Sequence, residues 1–260
     1  MHGRLGLVLL IGGLALAGCS NPLHGDTASD RLTPPALGTC RDLEAGDLDQ
    51  PSNATAAVPC TAKHTAQTFA IGTLPDSTGS AYADKRHGKH VYATCQKAFR
   101  EFIGAEEGLA LRSQLSWAWF RPSERGWDKG ARWYRCDLIG GASGASALRS
   151  LPAQGKGIFS ESLPDTWLTC VRGTTVPAGT KVPCSEPHTW RAVTTIKVGQ
   201  PGDTYPGDRI VQVRSRDYCQ SSVGAWMHYP TNYEYGYTWF HDDRWAAGNR
   251  LSICWARTAQ

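Results

Sequence analysis

Residues 245–254 read WAAGNRLSIC, and residues 127–136, which lie 118 positions earlier, read WDKGARWYRC. Both stretches follow the pattern W-x2-G-x-R-x3-C, and four uncommon identities at one spacing indicate an internal duplication. The chain is therefore interpreted as two copies of one module. The residues that the two stretches share are Trp127, Gly130, Arg132 and Cys136 in the first copy and Trp245, Gly248, Arg250 and Cys254 in the second.

The cysteine positions extend the duplication over most of the chain. The second and third cysteines are 35 residues apart in both copies, whereas the first and last intervals are longer in copy one. These differences predict insertions in surface loops at residues 47–57 and 102–115. Bridges within each module are expected, with first to second and third to fourth favoured, although spacing leaves three pairings open. The cysteines are Cys40, Cys60, Cys95 and Cys136, then Cys170, Cys184, Cys219 and Cys254.

The stretches between the cysteines predict the elements of each module. A second shared pattern, V-P-C-x3-H-T, contains His64 or His188, and alternating β-branched residues after it predict a strand. An apolar stripe from Lys85 predicts a helix with Cys95 on its buried face, and Asp208 is expected to cap the corresponding helix of copy two. The repeated W-x2-G-x-R-x3-C stretch leads into a last strand, with its glycine at the turn.

These elements predict an α+β fold of two tandem disulfide-stapled repeats, each a small antiparallel sheet of about four strands with one packed helix. Module 1 is assigned residues 37–140 and module 2 residues 163–260. The intervening residues 141–162 are rich in Gly, Ala and Ser. That composition predicts a flexible linker, which leaves the relative orientation of the modules open.

The beginning of the chain has the pattern of an exported protein. A short basic region and an apolar run end in Leu-Ala-Gly-Cys at residues 16–19, which resembles the lipobox of bacterial lipoproteins. Residues 1–18 are therefore interpreted as a signal peptide and Cys19 as the lipid-modified residue that holds the mature protein on the outer face of the cell membrane. The alternatives are an ordinary signal peptide and an N-terminal anchor, although the run is shorter than the roughly 20 residues that a span needs. Residues 19–36 are expected to form a tether.

The composition fits an exported globular protein. Of the nine cysteines, an even number remains once Cys19 is set aside, which in an oxidising compartment indicates disulfides. The net charge of +4 is small and dispersed, so nucleic acid is not expected as a partner. Ten tryptophans and nine tyrosines either fill the thin cores of two small modules or form an exposed aromatic face for glycan, peptide or lipid.

The sequence patterns do not predict a catalytic site, a metal site or a cofactor. The Cys-x3-His spacing is half of a zinc pattern, but a cysteine in a disulfide does not act as a thiolate ligand. His64 and His188 are therefore expected to hydrogen-bond to the backbone near the bridges. Arg132 and Arg250 are expected to stack on aromatic rings. The pair His87 and His90 is expected on a solvated helix face.

The order of these motifs resembles the septum-formation domain of actinobacterial envelope lipoproteins, here in tandem. The resemblance rests on a first cysteine, V-P-C-x3-H, a helical cysteine and W-x2-G-x-R-x3-C, and it covers nearly all of residues 37–257. Copy two is the closer match because Pro187 precedes His188, where copy one has Lys63. The resemblance implies a role in septum formation or cell-wall processes and supplies no catalytic residue.

The sequence therefore predicts a membrane-anchored, non-enzymatic interaction module with no cofactor. Its expected partners are the membrane, through Cys19, and a division or cell-wall protein. One alternative is binding of wall glycan or peptide by exposed Trp and Tyr, and another is an enzyme of unrecognised type. Function is expected where the copies differ, chiefly in the two insertions and in residues 229–237.

Overall fold

The computed structural model describes residues 27–142, 145, 147–246 and 248–258. Cys19, the signal peptide and the first part of the tether, which are sequence predictions, lie outside the described residues. The elements form two antiparallel sheets, each with one long helix packed on it, and the chain has four disulfides. This arrangement confirms the predicted α+β fold of two tandem repeats.

The first sheet has the strand order β1-β2-β4-β3, so β4 is central and β3 lies at an edge. Every residue of β4 is buried, because β2 and β3 flank it and a long helix, α1, covers one face. The last four residues of the first W-x2-G-x-R-x3-C stretch, Trp133 to Cys136, thus lie in an inner strand of the sheet. The bounds are β1 Cys40–Arg41, β2 Ala66–Thr73, α1 Lys85–Ile103, β3 Leu115–Phe120 and β4 Trp133–Gly140.

Helix α1 begins and ends at residues suited to those positions. The Asp84 carboxylate accepts a hydrogen bond from the Arg86 N–H, and Gly104 ends the helix with a φ of 71°, a left-handed conformation that favours glycine. The buried residues recur every four positions, which turns one stripe of the helix toward the sheet. They are His87, Val91, Cys95, Phe99 and Ile103.

The second sheet has five strands in the order β6-β5-β7-β9-β8, one more than predicted. The additional strand arises because residues 169–183 fold into a β5–β6 hairpin, whereas in module 1 only a short β1 is present. Asp208 is the first residue of helix α4 and not its cap; its carboxylate instead accepts a hydrogen bond from the Tyr205 hydroxyl at 2.5 Å. The bounds are β5 Thr169–Arg172, β6 Thr180–Pro183, β7 Trp190–Lys197, α4 Asp208–Trp226, β8 Tyr235–Thr238 and β9 Leu251–Arg257.

Three short helices complete the described fold: α2 Glu107–Leu111, α3 Glu124–Asp128 and α5 Asp242–Ala246. Helices α3 and α5 are equivalent, since they carry Trp127 and Trp245 of the repeated stretch. Helix α2 lies in the insertion of copy one. No helix in the described part of the chain is long and apolar enough to cross a membrane.

Each module has the same disulfide pattern. The first cysteine is bonded to the second, and this bridge ties the first strand to the loop before the next long strand. The third is bonded to the fourth, and this bridge ties the long helix to the last strand. The pairs are Cys40–Cys60, Cys95–Cys136, Cys170–Cys184 and Cys219–Cys254.

Residues 149–160, which were expected to belong to a flexible linker, are instead packed against the modules. Leu151 and Phe159 are buried in a core cluster that both modules share. The Leu151 N–H donates to the His64 carbonyl at 2.8 Å, and the Phe159 N–H donates to the Ile103 carbonyl at 2.9 Å. Two apolar side chains in a stretch of small residues are sufficient to hold this segment on module 1.

The two modules also form backbone contacts with one another. The Gln114 N–H donates to the Trp167 carbonyl at 2.7 Å, and the Thr169 N–H donates to the Arg112 carbonyl at 2.9 Å. The side-chain amide of Gln114 reaches the Val182 carbonyl at 3.0 Å. The relative orientation that linker composition left open is therefore set by packing.

Candidate functional site

The repeated stretch has the same local structure in both modules. The Arg132 guanidinium lies 3.9 Å from the ring centroid of Trp127, and that of Arg250 lies 3.7 Å from the ring centroid of Trp245. Each arginine also donates a hydrogen bond to the carbonyl of its tryptophan, at 2.8 and 2.7 Å. These contacts hold the end of the short helix against the start of the last strand. The repeated stretch is therefore a structural motif.

The glycine of each stretch lies at the turn where the sequence placed it. Gly130 has a φ of 101° and Gly248 a φ of 99°, a region that residues with a Cβ rarely adopt. The chain thereby reverses between helix and strand. Both glycines are required by the backbone.

His64 and His188 are also equivalent. The Nδ1 atom of each lies 2.8 Å from the carbonyl oxygen two residues earlier, Ala62 or Glu186, beside the first disulfide of its module. Both rings are buried. Within the described residues, no group of three or more His, Cys, Asp and Glu side chains could hold a metal ion.

The histidine pair on α1 does not lie on a solvated face, so that expectation is wrong for His87. Its ring is fully buried against Trp127, at 5.1 Å between centroids, and Nε2 lies 3.1 Å from the Gly79 carbonyl oxygen. His90 is half-buried and meets Tyr134 edge-on. The position of His87 on the buried stripe of α1, four residues before Val91, was the signal for burial.

The insertion at residues 102–115 is an interface between the modules and not a free surface loop. The Arg112 guanidinium donates to the carbonyls of Ala192 and Val193, at 3.3 and 3.0 Å, where a β-bulge interrupts β7. Glu107 forms a salt bridge with Lys197 at 3.9 Å. The insertion thus fixes module 2 against module 1, because Arg112 donates to two carbonyls at the bulge, where Val193 has no partner in the strand register.

The insertion at residues 47–57 covers a buried charged pair. The guanidinium of Arg135 donates to the Asp137 carboxylate at 2.9 Å and to the Asn53 side-chain oxygen at 3.1 Å. Thr68 links the same carboxylate to Arg41. Burial, with the charge of Arg135 nearby, lowers the pKa of Arg41 to about 10, and Asp137 opposes this shift.

A cleft of about 990 Å³ opens between the two modules. One wall is formed by the outer side of α1, by α2 and by β3, and the other by the end of β8, the start of α5 and the face of β9 that α4 does not cover. The cleft owes its shape to the Arg112 contacts and the shared core, which hold these walls at a fixed distance. Neither copy alone has both walls.

The aromatic lining of the cleft accounts for most of the partly exposed tryptophans. Trp117, Trp119 and Trp239 are half-buried, and all three line the cleft. Tyr92 lies 5.5 Å from the Trp117 ring, between centroids, and also lines it. Six of the seven other tryptophans are buried in the cores. Some tryptophans therefore fill the cores of the modules, and others form a partly exposed aromatic surface.

Two cations in the cleft have no acidic partner. Within the described residues, neither Arg100 nor Lys181 forms a salt bridge, and the Nε atom of Arg100 is buried without an acceptor. Lys181 is an exposed residue, but partial desolvation lowers the pKa of its ammonium group, and the nearby Arg244 guanidinium adds to this effect. An anion in the cleft would relieve both the desolvation and the repulsion.

A second aromatic surface lies on the outer side of α4. Tyr218, Trp226 and Tyr229 are exposed there, Tyr229 by 73%. His228 and Tyr229 have φ values of 61° and 53°, a left-handed backbone in two residues that are not glycine. This surface, called the outer surface of α4 below, includes the start of the stretch 229–237 in which the sequence placed copy-specific function.

The shared histidines, glycines, arginines and cysteines do not line the cleft and belong to the frame of each module. Both insertions, in which the sequence placed copy-specific function, do line it, through residues 48–51 and through Glu107, Ala110 and Leu111 among others, whereas residues 229–237 do not.

Trp119 and Trp239, which have equivalent positions in the two copies, line the cleft as well. Trp117 and Trp119 alternate with smaller residues along β3, a pattern typical of a strand. Their position at a sheet edge could not be predicted, because it depends on strand order.

The sequence model of one protein family, described as septum formation, matches two overlapping parts of the chain, residues 26–120 and 106–254. The two matches are consistent with tandem copies and together cover well over half of the chain. No curated protein and no solved structure matches the chain.

Proposed function

Because the chain belongs to the septum-formation family, we propose that it is an extracytoplasmic, membrane-anchored binding protein that serves septum formation and has no catalytic activity of its own. The observation that carries the binding role is the cleft between the modules. Ligand sites typically have volumes of about 300–1,000 Å³ and lie at domain interfaces with aromatic linings. The cleft has these properties.

The anchoring part of the proposal rests on Cys19 and on the disulfides. Four disulfides are typical of a protein that folds outside the cytoplasm. A lipid on Cys19 and a tether over residues 19–36 would then hold both modules near the outer membrane–water interface. In that position the cleft would meet proteins and polymers of the division site.

The non-catalytic part rests on the chemistry of the cleft lining. His241, which lines the cleft, is bonded through Nδ1 to the Asp208 carboxylate at 2.9 Å, an arrangement that could orient a catalytic base. Hydrogen bonds from Tyr205 and His241 lower the pKa of Asp208. In the described part of the chain no serine, threonine or cysteine is hydrogen-bonded to His241, so the His241–Asp208 pair lacks the side-chain nucleophile of a catalytic triad.

The test is recovery of partners from living cells. The full chain, cross-linked in cells and extracted in detergent, is expected to bring down a division or cell-wall component. Cys19→Ala should be found in the medium or the soluble fraction and should lose these partners. If the wild-type chain recovers no division or wall component, or if Cys19→Ala keeps its membrane attachment, the proposal is wrong.

The second candidate function is binding of wall glycan or peptide by aromatic side chains. The observation that favours it is the position of Trp117, Trp119 and Trp239 around one cleft. Cosedimentation of the full chain with isolated wall material tests it. Trp239→Ala should reduce binding, whereas Trp226→Ala, which removes an exposed indole from the outer surface of α4, serves as the matched control and should not.

A further inference from the structure

The cleft runs along the open edge of β3. Successive side chains of a strand point to opposite faces of the sheet, so Ser116 and Ala118 point away from Trp117 and Trp119. All four residues nevertheless line the cleft. A cleft that contacts both faces of an edge strand must lie against the edge itself, where the free backbone N–H and C=O groups of the strand are located.

The open part of this edge is short and has defined ends. Before it, the Gln114 N–H is bonded to the Trp167 carbonyl, and after it, the Arg121 N–H is bonded to the Pro51 carbonyl at 3.0 Å. Between these positions, residues 116–119 form no backbone hydrogen bond outside their own sheet, within the described part of the chain. The gap is about 14 Å long at about 3.4 Å per residue, enough for roughly four residues of an added strand.

The unpaired charges around the gap favour a ligand that carries negative charge. The cleft is lined by three cations and three carboxylates: Arg100, Lys181, Arg244, Asp49, Glu107 and Asp243. Glu107 pairs with Lys197 and Asp243 with Arg244, which leaves two cations against the single carboxylate of Asp49 among the described residues.

Arg100 lies about two helical turns beyond Tyr92, which meets Trp117, on the same side of α1, and Lys181 faces the cleft from module 2. Neither has a salt-bridge partner in the described residues. Trp117 and Trp119, two residues apart on one face of β3, offer apolar surface to alternate side chains of a neighbouring strand.

We propose that an extended, acidic peptide segment of a partner protein binds in the cleft as an added strand on β3. Its backbone pairs with residues 116–119, and its carboxylates meet Lys181 and Arg100. The inference rests on the proposed function, because it names the chemistry of the partner that the cleft receives. It does not depend on which division or wall protein supplies the segment.

A peptide satisfies this site better than a glycan does. Strand addition uses donors and acceptors at the repeat of an extended backbone, and side-chain pockets then select the residues. A glycan would place its ring faces on the tryptophans, and its hydroxyls could bond to single groups of the β3 edge, but they do not recur at the backbone repeat of a strand. The aromatic lining fits either a peptide or a glycan, and the open edge of β3 favours the peptide.

The test is a titration of the detergent-solubilised full chain with a blocked octapeptide of alternating Glu and Val, followed by tryptophan fluorescence. Three comparison ligands are used: the same peptide N-methylated at every second residue, an octapeptide of alternating Lys and Val, and an oligomer of uronic acids. The acidic peptide is expected to bind. N-methylation, which removes backbone donors and keeps all charges, should weaken binding by about tenfold or more.

Charge reversal at Lys181 provides the matched variant. Lys181→Glu should lower the affinity for the acidic peptide by about tenfold and raise the affinity for the basic peptide. Lys156→Glu makes the same change on an exposed residue outside the cleft and should change neither affinity. If the methylated peptide binds as tightly as the unmethylated acidic peptide, charge alone attracts the ligand, and the proposal of strand addition is overturned. Binding of the uronic acid oligomer in preference to the peptide would assign the cleft to glycan and also overturn it.

Failure of this inference is distinguishable from failure of the proposed function. If the wild-type chain recovers a division or wall component from cells and Lys181→Glu recovers it equally well, the proposed function stands and the assignment of the cleft is wrong. If the acidic peptide binds as described and no such component is recovered, the cleft chemistry stands and the septal role is wrong.

Discussion

At the scale of single residues, the two copies show which side chains belong to the frame. Arg132 and Arg250 each stack on a tryptophan and donate to its carbonyl, and the donor–acceptor distances differ by only 0.1 Å, 2.8 against 2.7 Å. The planar guanidinium is the one side chain that stacks and donates in this way at once. Repetition of such a geometry in two modules is explained by a structural task.

Loss of this contact should lower the stability of its own module. Arg250→Ala removes a cation–π contact and three hydrogen bonds to carbonyls, which together contribute about 2–3 kcal/mol. Arg250→Lys keeps the charge without the planar fork and should recover less than half of that loss. The measurement is the urea midpoint; an alanine variant that unfolds at the wild-type urea concentration would contradict the role.

The buried pair Arg135–Asp137 shows how far the copies have diverged in chemistry. The equivalent positions of module 2, counted from the last cysteine, are Ile253 and Trp255, which are part of an apolar cluster. Module 1 therefore holds charges where module 2 holds hydrocarbon. Asn53, in the insertion that module 2 lacks, supplies an acceptor that Arg135 requires once it is out of water.

Removal of one member of this pair should destabilise the protein more than removal of both. Asp137→Ala leaves buried guanidinium groups without an anion and should cost about 3–5 kcal/mol. Arg135→Met together with Asp137→Ala removes the uncompensated charge of that pair and should be the more stable of the two variants. Equal or reversed urea midpoints for the single and double variants would show that the pair is not coupled.

The roles of several single residues could be predicted from the sequence. The other roles depend on contacts with residues that are distant in sequence. The turn role of Gly130 and Gly248 follows from a glycine between a short helix and a strand, and both have a positive φ. The backbone contacts of His64 and His188 followed from their spacing to a half-cystine. The partners of Arg135 could not be predicted, because Asn53 lies 82 residues away in sequence.

At the scale of secondary structure, the insertion with α2 is the element that makes two modules into one body. Sequence comparison located the insertion from a difference in cysteine spacing but assigned it to a surface loop. Its docking could not be predicted, because the receptor site is a bulge in β7 whose free carbonyls exist only once the sheet has formed. An equivalent bulge in β2 of module 1 lies near Phe69, so the site itself is a property of the repeat.

The Arg112 contacts should therefore stabilise the whole molecule. Arg112→Ala removes a charged donor from two carbonyls of β7, with an expected loss of about 1.5–3 kcal/mol and a lower melting temperature. Arg209→Ala, at an exposed position on α4, is the control and should melt as the wild type does. If calorimetry gives the same melting temperature for Arg112→Ala, the insertion does not fix the modules.

At the scale of the whole molecule, the disulfides and the shared core have separate tasks. All four bridges lie within a module, in loops of 14 to 41 residues. The contact between modules depends instead on packed apolar residues, among them Phe159 from the segment expected to be flexible, and on the hydrogen bonds of the insertion to module 2. A composition rich in glycine predicted flexibility, but burial of a few large side chains offsets the entropy that this composition adds to the unfolded chain.

Reduction should unfold the protein. Each bridge typically contributes about 2–4 kcal/mol, and the total stability of a domain is about 5–15 kcal/mol. Loss of two bridges per module, about 4–8 kcal/mol, therefore removes a large part of the stability of each module. Circular dichroism with and without a reductant is the measurement, and a native near-ultraviolet spectrum in fully reduced protein would show that packing alone suffices.

The central claim is that the cleft between the modules, and not the repeated motifs or the outer surface of α4, is where the protein meets its partner. Hydrogen exchange tests it most directly, with the full-length protein compared free and in the complex recovered from solubilised envelopes. The account predicts slower exchange in the complex at residues 115–120, with little change at residues 218–229. Slower exchange at residues 218–229 with an unchanged β3 would contradict it.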